Sequence, residues 1–158
     1  MRHTLYAALF FSILFLSINC KKSTAPTTKH FSSALLTSHA WKIKALLYRQ
    51  KGDATNNDLT ASLYHDCERD DLYTFGTDSV FNRDDNVDIC VLQGDYGPYG
   101  TGRWSSNSDL TKLSLMKPFG YDYEFIVLDL TATSLVLEYD TKDVFQNDVV
   151  YTYEFEAE

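Results

Sequence analysis

From Ala40 onward the chain alternates apolar and polar positions in short runs, the period of half-buried β-strands rather than of helices. Trp41, Ile43, Ala45 and Leu47 fall on one face of the first run, with Lys42 and Lys44 on the other. "DDLYTF" and "SVFNR" flank the turn signal "GTD", which predicts a hairpin over residues 70–83. "GRWSS" and "LTKLSLMK" follow, and then Pro118, Phe119 and Gly120 mark a turn. "YDYEFIVLDL" sets Tyr121, Tyr123, Phe125 and Val127 against Asp122, Glu124 and Ile126. "SLVLEYD" aligns Leu135, Leu137 and Tyr139, and the final run aligns Val149, Tyr151, Tyr153 and Phe155 against Thr152, Glu154 and Glu156. "GDATNNDLT" and "DYGPYGTG" have the composition of loops.

Eight short strands, each with one apolar face and most joined by turns, predict an all-β domain. Closing them in order into an antiparallel up-and-down barrel removes the exposed edges of an open sheet; a β-sandwich satisfies the same pattern. Ahead of them "SSALLTSHAW" predicts one short helix, with Ser32 or Ser33 as its N-cap.

The N-terminus follows a different logic. Leu5 to Ile18 is an apolar run about as long as a signal-peptide core and short for a membrane-spanning helix. It ends at "SINCKK", and a cysteine at that point resembles the lipobox of bacterial lipoproteins, whose thiol is acylated and becomes the mature N-terminus. An ordinary secretory signal cut nearby is the alternative. This divides the chain into a signal peptide (1–19), a polar tether that starts at lipidated Cys20 (20–30) and a barrel domain (31–158).

Removing residues 1–19 takes away one formal charge, Arg2, and leaves a net charge of about −9. An acidic chain without a basic patch does not compete for phosphate counterions, so no nucleic-acid partner is expected. Nor does it favour electrostatic docking on anionic lipid, so the expected membrane attachment is the acyl anchor at Cys20.

Between Trp41 and Tyr139 the order of features is similar to that of the lipocalin-like domain family of Bacteroidetes lipoproteins. A Trp opens the first strand ("HAWKI"), and a Cys precedes an acidic strand ("CERDDLYTF"). A second Cys follows the hairpin ("NVDIC"), then come "GRW" and paired strands ending in "LVLEY". The resemblance implies an eight-stranded barrel, lipid-anchored at the bacterial outer membrane and facing the periplasm or the cell surface, with room for a small hydrophobic ligand. Two departures from orthodox lipocalins stand out. His39 occupies the position of their first-strand glycine, and the last strand lacks the arginine that stacks on the tryptophan, leaving Arg103 as the candidate substitute.

Among chemistry-bearing residues, the densest group is "YHDCERDD" around Cys67. Three cysteines occur; with Cys20 assigned to acylation, Cys67 and Cys90 form an even pair in an exported chain. A turn centred on Thr77 and Asp78 would set Cys67 opposite Asp88, close enough to Cys90 for a disulfide. The alternatives are a thiol nucleophile served by His65, or a zinc site with His65 and Cys90. Asp84, Asn86, Asp88 and Asp95 fall at calcium-loop spacing, but position six is Ile89 rather than glycine, so no metal is expected. GxSxG, HExxH, P-loop and dinucleotide-binding patterns are missing from the sequence, so neither catalysis nor a cofactor is expected.

The candidate site is aromatic. Trp41, Phe75, Trp104, Tyr121, Tyr123, Phe125, Tyr139, Tyr151 and Tyr153 would line the barrel interior, with rings as apolar wall and hydroxyls as polar handles. The same rings could instead fill a solid barrel. Binding of a small apolar or amphipathic ligand is the leading expectation, and a protein-interaction module at the cell envelope the other.

Overall fold

The computed structural model describes residues 29–89, 100–116 and 122–158, with Gly100 and Thr101 described by backbone alone. The expected signal peptide, most of the tether, Cys20, Cys90, Asp95 and Tyr121 lie outside the described residues.

The eight expected strands are all present and closed into an antiparallel up-and-down barrel. They are β1 (Ala40–Gln50), β3 (Leu72–Phe75), β4 (Val80–Asp84), β5 (Gly100–Ser106), β6 (Lys112–Met116), β7 (Asp122–Leu130), β8 (Ser134–Lys142) and β9 (Asp148–Ala157). Each pairs with its sequence neighbour, and β1 closes the ring on β9 from Trp41↔Ala157 to Gln50↔Val149. A two-residue strand, β2 (Asn57–Asp58), pairs with β1 at Leu47 and Tyr48, beyond the stretch where β3 pairs with it. Pairing of β1 with β9 closes the eight strands on themselves and leaves only the two-residue β2 with an open outer edge among the described strands.

One end of the barrel is solid. There α1 (Ser33–Thr37) lies across the opening, started by Ser32, whose Oγ accepts the Ala34 N–H at 3.3 Å. Its Leu36 is fully buried, and the Leu36 carbonyl accepts the Trp41 indole N–H at 2.9 Å. Leu36, Trp41, Leu113 and Leu135 have no exposed surface, and Trp104, Leu110, Leu130 and Phe155 pack with them. Gly102 sits where a Cβ would come within 2.8 Å of the Met116 carbonyl, so a side chain there would force β5 and β6 apart.

Four local features depart from simple strand alternation. In β1 the register shifts between Ile43 and Ala45, so Lys44 is an extra residue and Leu46, not Ala45 or Leu47, is buried. A second bulge between Val127 and Asp129 turns Leu130 inward. The β3–β4 turn runs from Gly76 to Ser79, with Ser79 at φ 65°, so Phe75 faces Phe81 and Tyr73 faces Arg83. "DCER" is a helical turn, α3 (Asp66–Arg69), preceded by α2 (Thr60–Leu63), so Cys67 is not on a strand.

Candidate functional site

The end opposite α1 is built differently. The last residues of β4, β6 and β8 and the first of β5, β7 and β9 lie there, together with α2 and α3. Among the described residues, inward positions at this end include the half-buried tyrosines Tyr123, Tyr139, Tyr151 and Tyr153, with Tyr48 from β1, beside the fully buried Val149. Tyr123, Tyr139 and Tyr153 connect through Phe125, and Tyr48 and Tyr151 form a separate pair. Tyr123 lies 5.2 Å from Tyr139, Phe125 lies 5.6 Å from both Tyr139 and Tyr153, and Tyr48 lies 5.4 Å from Tyr151. Such tilted and edge-on pairings are the favoured contacts of aromatic rings and hold them in place, and Tyr123, Tyr139 and Tyr153 also pack against the core.

The expected site residues therefore divide. Trp41, Phe75 and Trp104 are buried in the solid half: Trp104 donates its indole N–H to the Gly76 carbonyl at 2.9 Å, and Phe75 meets Trp104 edge-on at 6.0 Å. Phe125 lies at the transition, and Tyr123, Tyr139, Tyr151 and Tyr153 line the open half. Arg103 is exposed on β5, its position out of phase with buried Trp104, so it does not take the role of the missing arginine; His39 meets Trp41 edge-on instead, at 5.7 Å.

At the floor of the tyrosine-lined half lies a cluster of buried charges. Arg83, in phase with buried Phe81, donates from Nε to Asp71 Oδ2 at 2.6 Å and approaches Glu68 Oε1 at 3.5 Å. Its guanidinium also lies over the Tyr73 ring at 5.5 Å. Asp71 is fully buried, and burial pushes its carboxyl up to about 6 despite the opposing attraction of Arg83. Tyr73 and Tyr64 share a hydrogen bond, and burial raises both phenols, Tyr73 to about 12. Burial raises Tyr153 as well. The acids around Cys67 are thus not uniformly a wet rim, as their charge alone would place them. Glu68 and Asp71 are buried, whereas His65 and Asp66 are exposed. The one sequence signal for the cluster is phase: Asp71 and Arg83 continue the inward alternation of Tyr73, Phe75 and Phe81.

Around Cys67 the described side chains are engaged in local structure. Glu68 Oε2 accepts the His65 backbone N–H at 3.0 Å, which makes this pair a helix start. Asp70 Oδ2 accepts the N–H groups of Val87 and Asp88 at 2.9 and 3.0 Å, so a carboxylate from the α3–β3 corner organises the acidic loop. No group of three His, Cys, Asp or Glu among the described residues is placed to hold a metal ion.

Outside the barrel wall, an open depression of about 350 Å³ lies between the α1–β1 corner and the β3–β4 hairpin, lined among others by His39, Thr74, Asp78 and Asn82. It is separate from the tyrosine-lined end. No protein-family model and no curated protein matches this chain.

Proposed function

We propose that this chain is a lipoprotein carrying a lipocalin-like barrel that binds a small apolar or amphipathic molecule at its tyrosine-lined end, without catalysing a reaction. The observation that carries this reading is the contrast between the two ends. One is packed with fully buried side chains, while at the other the inward tyrosines stay half-buried. Half-buried rings with hydroxyls, on a rigid closed wall, suit a ligand with an apolar body and a few polar atoms. Acylation at Cys20 would hold the protein at the outer membrane, facing the periplasm or the cell surface, as in the Bacteroidetes lipoproteins it resembles. A Cys67–Cys90 bridge would tie α3 to the segment after β4; the Cys67 sulfur is bonded rather than free, which supports it.

Native mass spectrometry of the protein purified from cell envelopes tests the ligand reading. A 1:1 small-molecule adduct is expected. A bare mass in envelope material, with no uptake of any apolar probe, would defeat it.

One observation favours a second reading, docking of an envelope protein. The β8–β9 turn holds Val144 and Phe145 in solvent, 88% and 81% exposed. Asp143 fixes that turn by accepting the Phe145 and Asn147 N–H groups, each at 2.9 Å. A photo-crosslinking residue at position 145 should capture one defined protein in intact cells if this turn docks a partner; uniform labelling of bystanders would count against it.

A further inference from the structure

The large apolar side chains that the described residues expose are gathered at the end opposite α1. Val87 and Ile89 follow β4, Met116 ends β6, Val144 and Phe145 lie in the β8–β9 turn and Leu63 lies on α2. Ile126, on the outer wall of β7, is the one exception. The turns of the α1 end, Gly76–Ser79, 107–111 and 131–133, expose none. Single exposed apolar residues are ordinary on a protein surface, but a set confined to one rim is the pattern of an interaction surface.

Charge decides what that surface can meet. Four cations flank these connections, and each already has a carboxylate. Arg49 meets Glu138 at 3.0 Å, Lys51 meets Asp140 at 2.6 Å, Arg69 meets Asp66 at 3.6 Å and Lys142 meets Asp148 at 2.8 Å. Arg103 stands mid-strand on the wall. By contrast Asp53, Asp84, Asp88 and Asp122 are exposed at this end without a salt bridge among the described residues. Carboxylates also sit directly beside the apolar tips, Asp88 between Val87 and Ile89 and Asp143 just before Val144. Pushing these tips into a bilayer would carry those carboxylates to the lipid interface, where an anionic leaflet repels them. A second copy would set one acidic rim against another.

Resting on the reading of the β8–β9 turn as a docking point, we infer that this rim receives a basic amphipathic polypeptide. Its apolar side chains seat against Val87, Ile89, Val144 and Phe145, and its lysines and arginines pair with the aspartates that lack a cation. Charge complementarity of this kind selects the partner and speeds its encounter, while the apolar tips supply the buried contact.

The test measures, by fluorescence anisotropy, binding of a dye-labelled amphipathic Leu/Lys peptide and of a Leu/Glu peptide of the same pattern. The Leu/Lys peptide should bind at least roughly tenfold more tightly, and should weaken as salt rises from about 0.1 M to about 0.5 M. Phe145→Ser should weaken it by roughly tenfold or more, and Asp88→Asn by roughly twofold to fivefold. Both side chains are exposed, so both variants should melt with the wild type. Glu156→Gln, on the outer wall of β9, should leave the affinity unchanged. Phe145→Trp should show no blue shift in emission with neutral phosphatidylcholine vesicles. Equal binding of the two peptides, binding of neither, or equal losses in Phe145→Ser and Glu156→Gln overturns the basic partner. A blue shift on vesicles overturns it too and assigns the rim to lipid. Crosslinking from position 145 in cells then tells separately whether any protein docks at this turn.

Discussion

Cutting one side of the Arg83–Asp71 pair should cost far more than removing both sides. The Arg83 side chain is 3% exposed and that of Asp71 0%, with Nε and Oδ2 2.6 Å apart. Truncation to Arg83→Met leaves Asp71 and Glu68 buried without their cation, and breaking a buried pair in this way costs about 3–5 kcal/mol. Asp71→Leu takes away the 2.6 Å partner of Arg83 while its 3.5 Å contact to Glu68 stays, and should cost about 2–4 kcal/mol. In the double variant both buried charges are gone. Replacing a buried pair by apolar side chains of similar volume is near neutral, so only the weakened Glu68 contact should register, at about 1–2 kcal/mol. The coupling energy is then at least about 3 kcal/mol. Urea unfolding at pH 7.5, where Asp71 is ionised, measures all four corners of the cycle, provided that the m-values agree. Costs that add to within about 0.5 kcal/mol would refute the pairing as an energetic unit.

Three further outcomes follow from the same geometry. Because burial raises the Asp71 carboxyl to about 6, the native state binds that proton more tightly than the unfolded chain, so the residue's contribution to stability falls as pH rises from about 4 to about 6. The penalty of Asp71→Asn, taken from melting curves, should therefore shrink between pH 4.5 and 7; a penalty that grows would mean that Arg83, not burial, sets the pKa. Leu113→Ala, at a fully buried position of the solid end, should cost about 2–5 kcal/mol while leaving probe stoichiometry at 1:1. Cys67→Ser should lose roughly 3 kcal/mol in non-reducing urea titrations and abolish the effect of reductant on the midpoint, as expected for opening the proposed loop to Cys90.

How much of this was legible in the sequence depends on whether neighbours along the strand carry the information. Alternation in "YEFIVLDL" and "SLVLEYD" identifies strands and faces because each inward residue is apolar and each step reverses the side. Bulges break that rule without a local signature. Lys44 and Leu128 look like ordinary members of their runs, and their consequence appears only in the partner strand, so alternation puts Ala45 and Leu47 on the face that Leu46 takes and does not announce the inward turn of Leu130. The tyrosines of β7, β8 and β9 could be read as inward, but their division from the solid end could not. That division depends on α1 lying across one opening, which brings Leu36 onto Trp41. The charged floor was hidden for a different reason. Asp71 and Arg83 have the inward phase, yet charge type argues for the surface, and only a cross-strand neighbour and Glu68 from α3 reverse that judgement. Tyr48, Tyr64 and Tyr73 joined the aromatic set only with the register in hand.

The central claim is that the tyrosine-lined end, rather than the outer depression beside His39, receives the ligand. Intermolecular nuclear Overhauser contacts from a saturating amphiphile to ring-labelled tyrosines measure this directly. The account predicts contacts to Tyr123, Tyr139 and Tyr153 and none to the indole of Trp41 beneath α1. Contacts confined to His39 and the β3–β4 hairpin would contradict it.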